Sequence, residues 1–192
     1  MTGRDERADE PWRVLVICTA NVCRSPIAER VLQRRLDAAA IPAVVRSAGT
    51  HGGRLRPHLD TIRAAREVGV EISDHVSRQV TPDLVASDGA DLVVTMTREH
   101  LRDVVGHTPA AWPRSFTLKE IVRRSLDVPI GTVGLDEWLR HAGEGRRAAD
   151  LMSASDLDDL ADPYGGPYRD HLRMAEEVDD LVTRLVQSLP ER

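Results

Sequence analysis

The stretch Val14-Leu15-Val16-Ile17-Cys18-Thr19-Ala20-Asn21-Val22-Cys23-Arg24-Ser25-Pro26 decides how this chain of 192 residues is read. Four apolar residues, three of them β-branched, predict a strand buried on both faces, as in a parallel sheet. Asn21 tolerates a left-handed backbone, as a tight loop wants. Ser25 suits an N-cap and Pro26 a first helical position, and Ala28, Val31, Leu32, Leu36 and Ala39 follow at helical spacing. The reading is strand, loop, helix, with a thiol and a guanidinium at the mouth.

A loop that feeds a helix N-terminus aims several backbone N–H groups at one point, where the helix dipole adds about half a positive charge. A phosphate dianion fits such a nest. The same field favours a cysteine thiolate over the thiol, which turns Cys18 into a candidate nucleophile. Arg24, six positions on, can grip two phosphate oxygens in a planar fork that a lysine cannot reproduce. Cys23 reads first as a packing residue and second as a redox partner for Cys18.

Working outward, strands are expected at 13–18, 43–47, 91–95 and 115–118, alternating with helices at 26–40, from Arg56-Pro57 to Gly69, and at 97–105. Leu59, Ile62, Ala65 and Arg66 suggest the second helix's partly buried face. A last helix at 168–188 carries Leu172, Ala175, Val178, Leu181, Val182 and Leu185 for packing. Strands alternating with helices imply an α/β fold with one parallel sheet and helices on both faces. In such sheets ligands bind outside the strand carboxyl ends, where the Cys18 loop lies. Residues 1–11 read as a mobile N-terminal arm and 12–192 as a single domain. The segment 122–160, with Pro129, Gly131, Gly134, Gly143, Gly145 and a helix at 135–142 anchored by Trp138, fits this rhythm least. It reads as an insertion that borders the cleft.

The loop resembles the signature of the low-molecular-weight protein tyrosine phosphatases, Cys-x-Gly-Asn-x-Cys-Arg-Ser-Pro directly after the first strand, with Ala20 where the family usually has Gly. The resemblance continues through Arg46-Ser47-Ala48-Gly49-Thr50, His75-Val76-Ser77-Arg78-Gln79-Val80, Asp91-Leu92-Val93-Val94-Thr95-Met96 and Asp162-Pro163-Tyr164, and so covers most of the chain. It implies a three-layer domain with a four-stranded parallel sheet in the flavodoxin-like order 2-1-3-4. It also implies phosphomonoester hydrolysis through a cysteinyl-phosphate, without a cofactor or metal. Matched position by position, Cys18 and Arg24 are catalytic, and Asp162 is the general acid. Thr19, Ala20, Asn21, Val22, Cys23 and Ser25 form the phosphate loop, and Tyr164 walls the cleft. Ser47 and His75 join Ser25 in the hydrogen-bonded shell that holds the loop Asn. The neighbouring Asp156, Asp158 and Asp159 read as a solvated acidic face. The segments around Phe116 and Asp162 look like the bacterial branch that includes protein arginine phosphatases. Those enzymes carry Thr before the second loop cysteine, whereas tyrosine phosphatases carry an aliphatic residue, and Val22 sides with tyrosine.

Composition narrows the alternatives. Arsenate reductases that share this loop need downstream cysteines, and none follows Cys23; Cys18, Arg24 and Asp162 together argue against a non-catalytic phosphate-binding module, which Ala20 leaves open. A net charge of −5 and 3% aromatic residues disfavour nucleic-acid binding. Lys119 is the only lysine among 26 basic residues, a compositional bias without chemical consequence. Two cysteines in one loop build no disulfide framework, the N-terminus lacks a signal peptide's apolar stretch, and no segment is apolar enough to span a bilayer. The expected compartment is the cytoplasm, and the expected partner a phosphorylated protein carrying phosphotyrosine or phosphoarginine.

Overall fold

A computed structural model describes residues 10–86, 88–129, 132, 134–152 and 155–190. Most of the expected arm, 1–9, and Gly131 lie outside the described residues, while Trp12 already belongs to the core at the start of the first strand. Four strands, β1 (Trp12–Cys18), β2 (Ala43–Gly49), β3 (Leu92–Thr95) and β4 (Ser115–Thr117), form one sheet in the order β2-β1-β3-β4, with every pairing parallel. The order matches the expectation.

Among the described residues there are seven α-helices: α1 (Arg24–Ala38), α2 (Leu59–Glu67), α3 (Pro82–Val85), α4 (Arg98–His107), α5 (Leu118–Ser125), α6 (Leu135–Ala142) and α7 (Tyr168–Ser188). Because side chains alternate along a strand, β1 feeds two cores. Val14, Val16 and Cys18 join Ile27, Val31, Phe116, Ile121, Val178 and Leu185 on one face, and Leu15 and Ile17 join Val85, Val93, Val104 and Ala111 on the other. Helices α1, α5 and α7 cover the first face, and α3 and α4 the second.

Three local expectations change. α1 begins at Arg24, with Cys23 as its N-cap residue, so Ser25 and Pro26 sit inside the first turn and the Ser25 hydroxyl is released from capping. On α2 the buried residues are Thr61, Ala64 and Ala65, while Leu59 is 78% exposed and Arg66 also faces water. In the 122–160 segment, α6 packs on α5 and on the 3-10 helix Pro109–Arg114 that precedes β4. The buried Trp138 donates Nε1–H to the Ser188 carbonyl at 2.7 Å, at the far end of α7. This places α6 toward the amino end of the sheet, away from the loop after β1.

The carboxyl ends of β1 and β2 are locked together. Thr50 N donates to the Cys18 carbonyl at 3.0 Å and His51 N to the Thr19 carbonyl at 2.8 Å. Gly49 lies against the loop so closely that a Cβ there would stand 2.5 Å from the Thr19 carbonyl oxygen and 2.9 Å from the Asn21 backbone nitrogen. These are backbone atoms that a flexible side chain cannot yield for. Gly49→Ala is therefore expected to cost about 1–3 kcal/mol, read as a lowered urea midpoint at unchanged m-value.

Candidate active site

The loop from Cys18 to Arg24 turns on Asn21, its one described residue with positive φ, 55°. Ala20 keeps a negative φ, so the methyl group at a position where the family usually has glycine imposes no left-handed strain. Asn21 is fully buried, and its side-chain amide is fully used. Nδ2 donates to Ser25 Oγ at 2.9 Å and to Ser47 Oγ at 2.8 Å. Oδ1 accepts from the Arg78 backbone N–H at 3.0 Å and from His75 Nε2 at 3.2 Å. The Arg78 N–H can only donate, which fixes the amide orientation.

The remaining protons follow. His75 Nε2 also donates to the Asn21 carbonyl at 3.0 Å, so the ring carries its proton on Nε2, and burial holds its pKa below the usual histidine range. Ser47 Oγ, having accepted from Asn21, donates to Glu29 Oε2. Ser25 Oγ has likewise accepted from Asn21, so its own hydrogen is free for Cys18 Sγ, 3.0 Å away.

Arg24, only 3% exposed, reaches three partners: the Leu160 carbonyl at 3.2 Å through Nη1, and Thr19 Oγ1 at 3.1 Å and Asp162 Oδ2 at 2.5 Å through Nη2. Nucleophile loop and candidate acid, 138 residues apart in sequence, thus meet on one guanidinium. The carboxylate side chain of Asp162 remains 44% exposed, and its Oδ1 accepts from Tyr164 N–H at 3.2 Å. Tyr164 itself is 72% exposed, so it stands at the rim. Val22 is buried in the loop.

Of the three acidic residues expected to be solvated, Asp156 is exposed, but Asp158 and Asp159 anchor the segment leading to Asp162. Asp158 is buried and bridges Arg98 at 2.7 Å and Arg123 at 2.8 Å. Burial raises its pKa, but the two arginines outweigh this and hold it below the usual carboxylate range. Asp159 accepts from the backbone N–H groups of Arg98 and Ser155, and Leu160 N donates to the Met96 carbonyl just past β3. Asp158 reads as a surface residue because its partners Arg123 and Arg98 lie 35 and 60 residues away.

The structure adds His100, which sequence reasoning missed because it is one histidine in an ordinary helix. It lies in the first turn of α4, buried, with Nε2 2.9 Å from Thr19 Oγ1 and Nδ1 2.8 Å from Thr97 Oγ1. The line Arg24–Thr19–His100–Thr97 props the guanidinium from behind. Cys23 packs in the core with Thr61 Oγ1 donating to its sulfur at 3.3 Å, and burial pushes its thiol up to about 11. Neither cysteine is in a disulfide. Among the described residues, the single cluster of His, Cys, Asp or Glu with metal-ligand spacing lies outside the loop.

The family profile described as low molecular weight phosphotyrosine protein phosphatase matches residues 13–130. The chain belongs to the low molecular weight phosphotyrosine protein phosphatase family. It is 30% identical over 183 residues to a protein-arginine-phosphatase of Geobacillus stearothermophilus, covering 93% of this chain and 97% of that one. It is 39% identical over 98 residues to the low molecular weight protein-tyrosine-phosphatase Etp of Escherichia coli K12, covering 50% of this chain and 62% of Etp. The fold is similar to the low molecular weight protein tyrosine phosphatase of T. tengcongensis, with a TM-score of 0.70 at 28% identity over 93% of this chain and 99% of that one.

Burial, with Arg24 and His51 nearby, lowers the His100 pKa to about 3. In the unfolded chain the ring takes its proton near pH 6.5, whereas the folded protein holds it neutral until about pH 3. Stability is therefore full above about pH 6.5 and is lost as pH falls toward 3, because the unfolded state binds the extra proton. About 2 kcal/mol is expected to go between pH 7 and pH 5 on this account. His100→Asn is expected to flatten the difference between urea midpoints at the two pH values.

Proposed function

We propose that this chain is a cytoplasmic phosphatase that hydrolyses phosphorylated proteins through a cysteinyl-phosphate on Cys18, with phosphotyrosine as its preferred substrate. The observation that carries the reading is the meeting of the Cys18 loop and Asp162 on Arg24. Backbone N–H groups of the loop and the Arg24 guanidinium bind the equatorial oxygens of the phosphoryl group; Arg24 Nε is buried without a partner among the described residues and can take a further acceptor. Cys18 Sγ forms a bond to phosphorus as the bond to the leaving oxygen breaks, and Asp162 gives that oxygen its proton. Asp162, now a carboxylate, takes a proton from the water that attacks the thiophosphate, releasing inorganic phosphate and the thiolate. Asp162 is suited to both steps because it is half exposed, on a segment pinned by Asp158 and Asp159. No helix among the described residues is long and apolar enough to cross a membrane.

Cys18→Ser is expected to lose at least about a thousandfold in kcat while still binding phosphate. Asp162→Asn is expected to lose about 10²–10⁴ on phenyl phosphate and far less on p-nitrophenyl phosphate, whose leaving group needs less protonation. Equal losses on the two substrates would remove Asp162 as the acid.

A second reading, a protein arginine phosphatase, is favoured by the near full-length match to the Geobacillus stearothermophilus enzyme. Against it stands Val22, whose buried aliphatic side chain offers no hydroxyl to a guanidinium leaving group. Phosphotyrosine peptides are expected to be at least about tenfold better in kcat/KM than matched phosphoarginine peptides, and Val22→Thr to narrow the gap. A wild-type preference for phosphoarginine would overturn the tyrosine assignment.

A further inference from the structure

Behind the phosphate loop, α2 and α7 bring together three side chains that the hydrolytic mechanism does not use. His58 precedes α2, Asp60 lies in its first turn and His171 in the first turn of α7. Each offers one ligand atom, and these atoms lie within 4.8 Å of one another. His58 Nδ1 and Asp60 Oδ2 are 3.7 Å apart, near the spacing of about 3.4 Å between two ligands of one tetrahedral zinc ion. The His58 and His171 rings stack at 5.9 Å between centroids.

The proton on His171 can be placed. Thr61 Oγ1 spends its hydrogen on Cys23 Sγ, so toward His171 Nδ1, 2.9 Å away, it can only accept. Nδ1 therefore carries the ring proton and Nε2 the lone pair. His171 is 1% exposed, and Nε2 makes no hydrogen bond to any described residue. An imidazole whose second nitrogen is bound to an oxygen, with a free lone pair on the first, is the form in which histidine ligates metals. His58 also presents a lone pair on Nδ1, held only by a long 3.3 Å contact from Asp60 N–H.

We propose that His58, Asp60 and His171 bind a divalent first-row transition-metal ion of the zinc type, which staples the start of α2 to the start of α7. Two imidazoles and a carboxylate with solvent as the fourth ligand form a borderline donor set that suits zinc and disfavours magnesium or calcium. The site is separate from the hydrolytic chemistry but reaches the loop by one line of contacts, His171 to Thr61 to Cys23. His58 and Asp60 are two residues apart and His171 follows 111 positions later, so no local spacing announces the site.

The test is calorimetric titration of Zn²⁺ into the full chain carrying Cys18→Ser, which removes the loop thiolate as a competing ligand. One equivalent is expected to bind, and the thermal midpoint to rise with Zn²⁺ concentration. His58→Asn and Asp60→Asn change partly exposed side chains and are each expected to weaken binding at least about tenfold. Thr61→Val, which removes the acceptor that orients His171, is expected to weaken it by about 10–100-fold. Failure to bind Zn²⁺ at all, or binding that survives His58→Asn and Asp60→Asn together, would overturn the proposal.

Discussion

The site depends on one buried side-chain amide. Asn21 holds the loop in a left-handed turn at φ 55°, and its Nδ2 and Oδ1 meet Ser25, Ser47, His75 and the Arg78 backbone. Buried polar groups are costly unless satisfied, and here satisfaction leaves little choice. Because Asn21 donates to both serines, Ser47 must turn its hydrogen to Glu29 and Ser25 can turn its own to Cys18 Sγ. This chain of hydrogen bonds ends on the Cys18 sulfur. Gly49, with no room for a Cβ, lets β2 approach closely enough for Ser47 to take part.

A second constraint brings in the distant carboxylate. Arg24 is buried beside the loop, and a buried guanidinium requires acceptors. It finds them in Thr19, the Leu160 carbonyl and Asp162. The 155–162 segment reaches it because Asp158 and Asp159 are spent on Arg98 and Arg123 and on backbone N–H groups, and Leu160 extends from Met96 at the end of β3. Electrostatics near the loop thus has a scaffold part, Asp158 with its arginines, and a working part, Arg24 with Asp162.

Features written in local sequence were legible. The Val14–Ile17 run, the alternation of strands and helices, and the Trp138 helix all stand where hydrophobic patterning places them. The parallel order followed from the resemblance carried by the loop motif, as did the set Ser25, Ser47 and His75 that surrounds Asn21. Features set by distant partners were not legible. Asp158 looks like a surface residue until Arg98 and Arg123 fold over it, and His100 looks like any helix histidine until Thr19 meets it. Ser25 has the chemistry of an N-cap, but a hydroxyl beside a thiol and an amide has better work, and α1 starts two residues earlier than expected, at Arg24. Leu59, expected on the partly buried face of α2, is exposed; apolar spacing does not reveal which side of the helix faces α7.

If Cys18 alone carries the phosphoryl group between substrate and water, acid-quenching the Asp162→Asn protein during turnover of p-nitrophenyl phosphate traps it there. With formation less affected than hydrolysis, mass spectrometry of the modified peptide is expected to find one phosphoryl group on Cys18. Phosphate on Ser25 or on a histidine, or full turnover with no phosphoenzyme at any quench time, would contradict it.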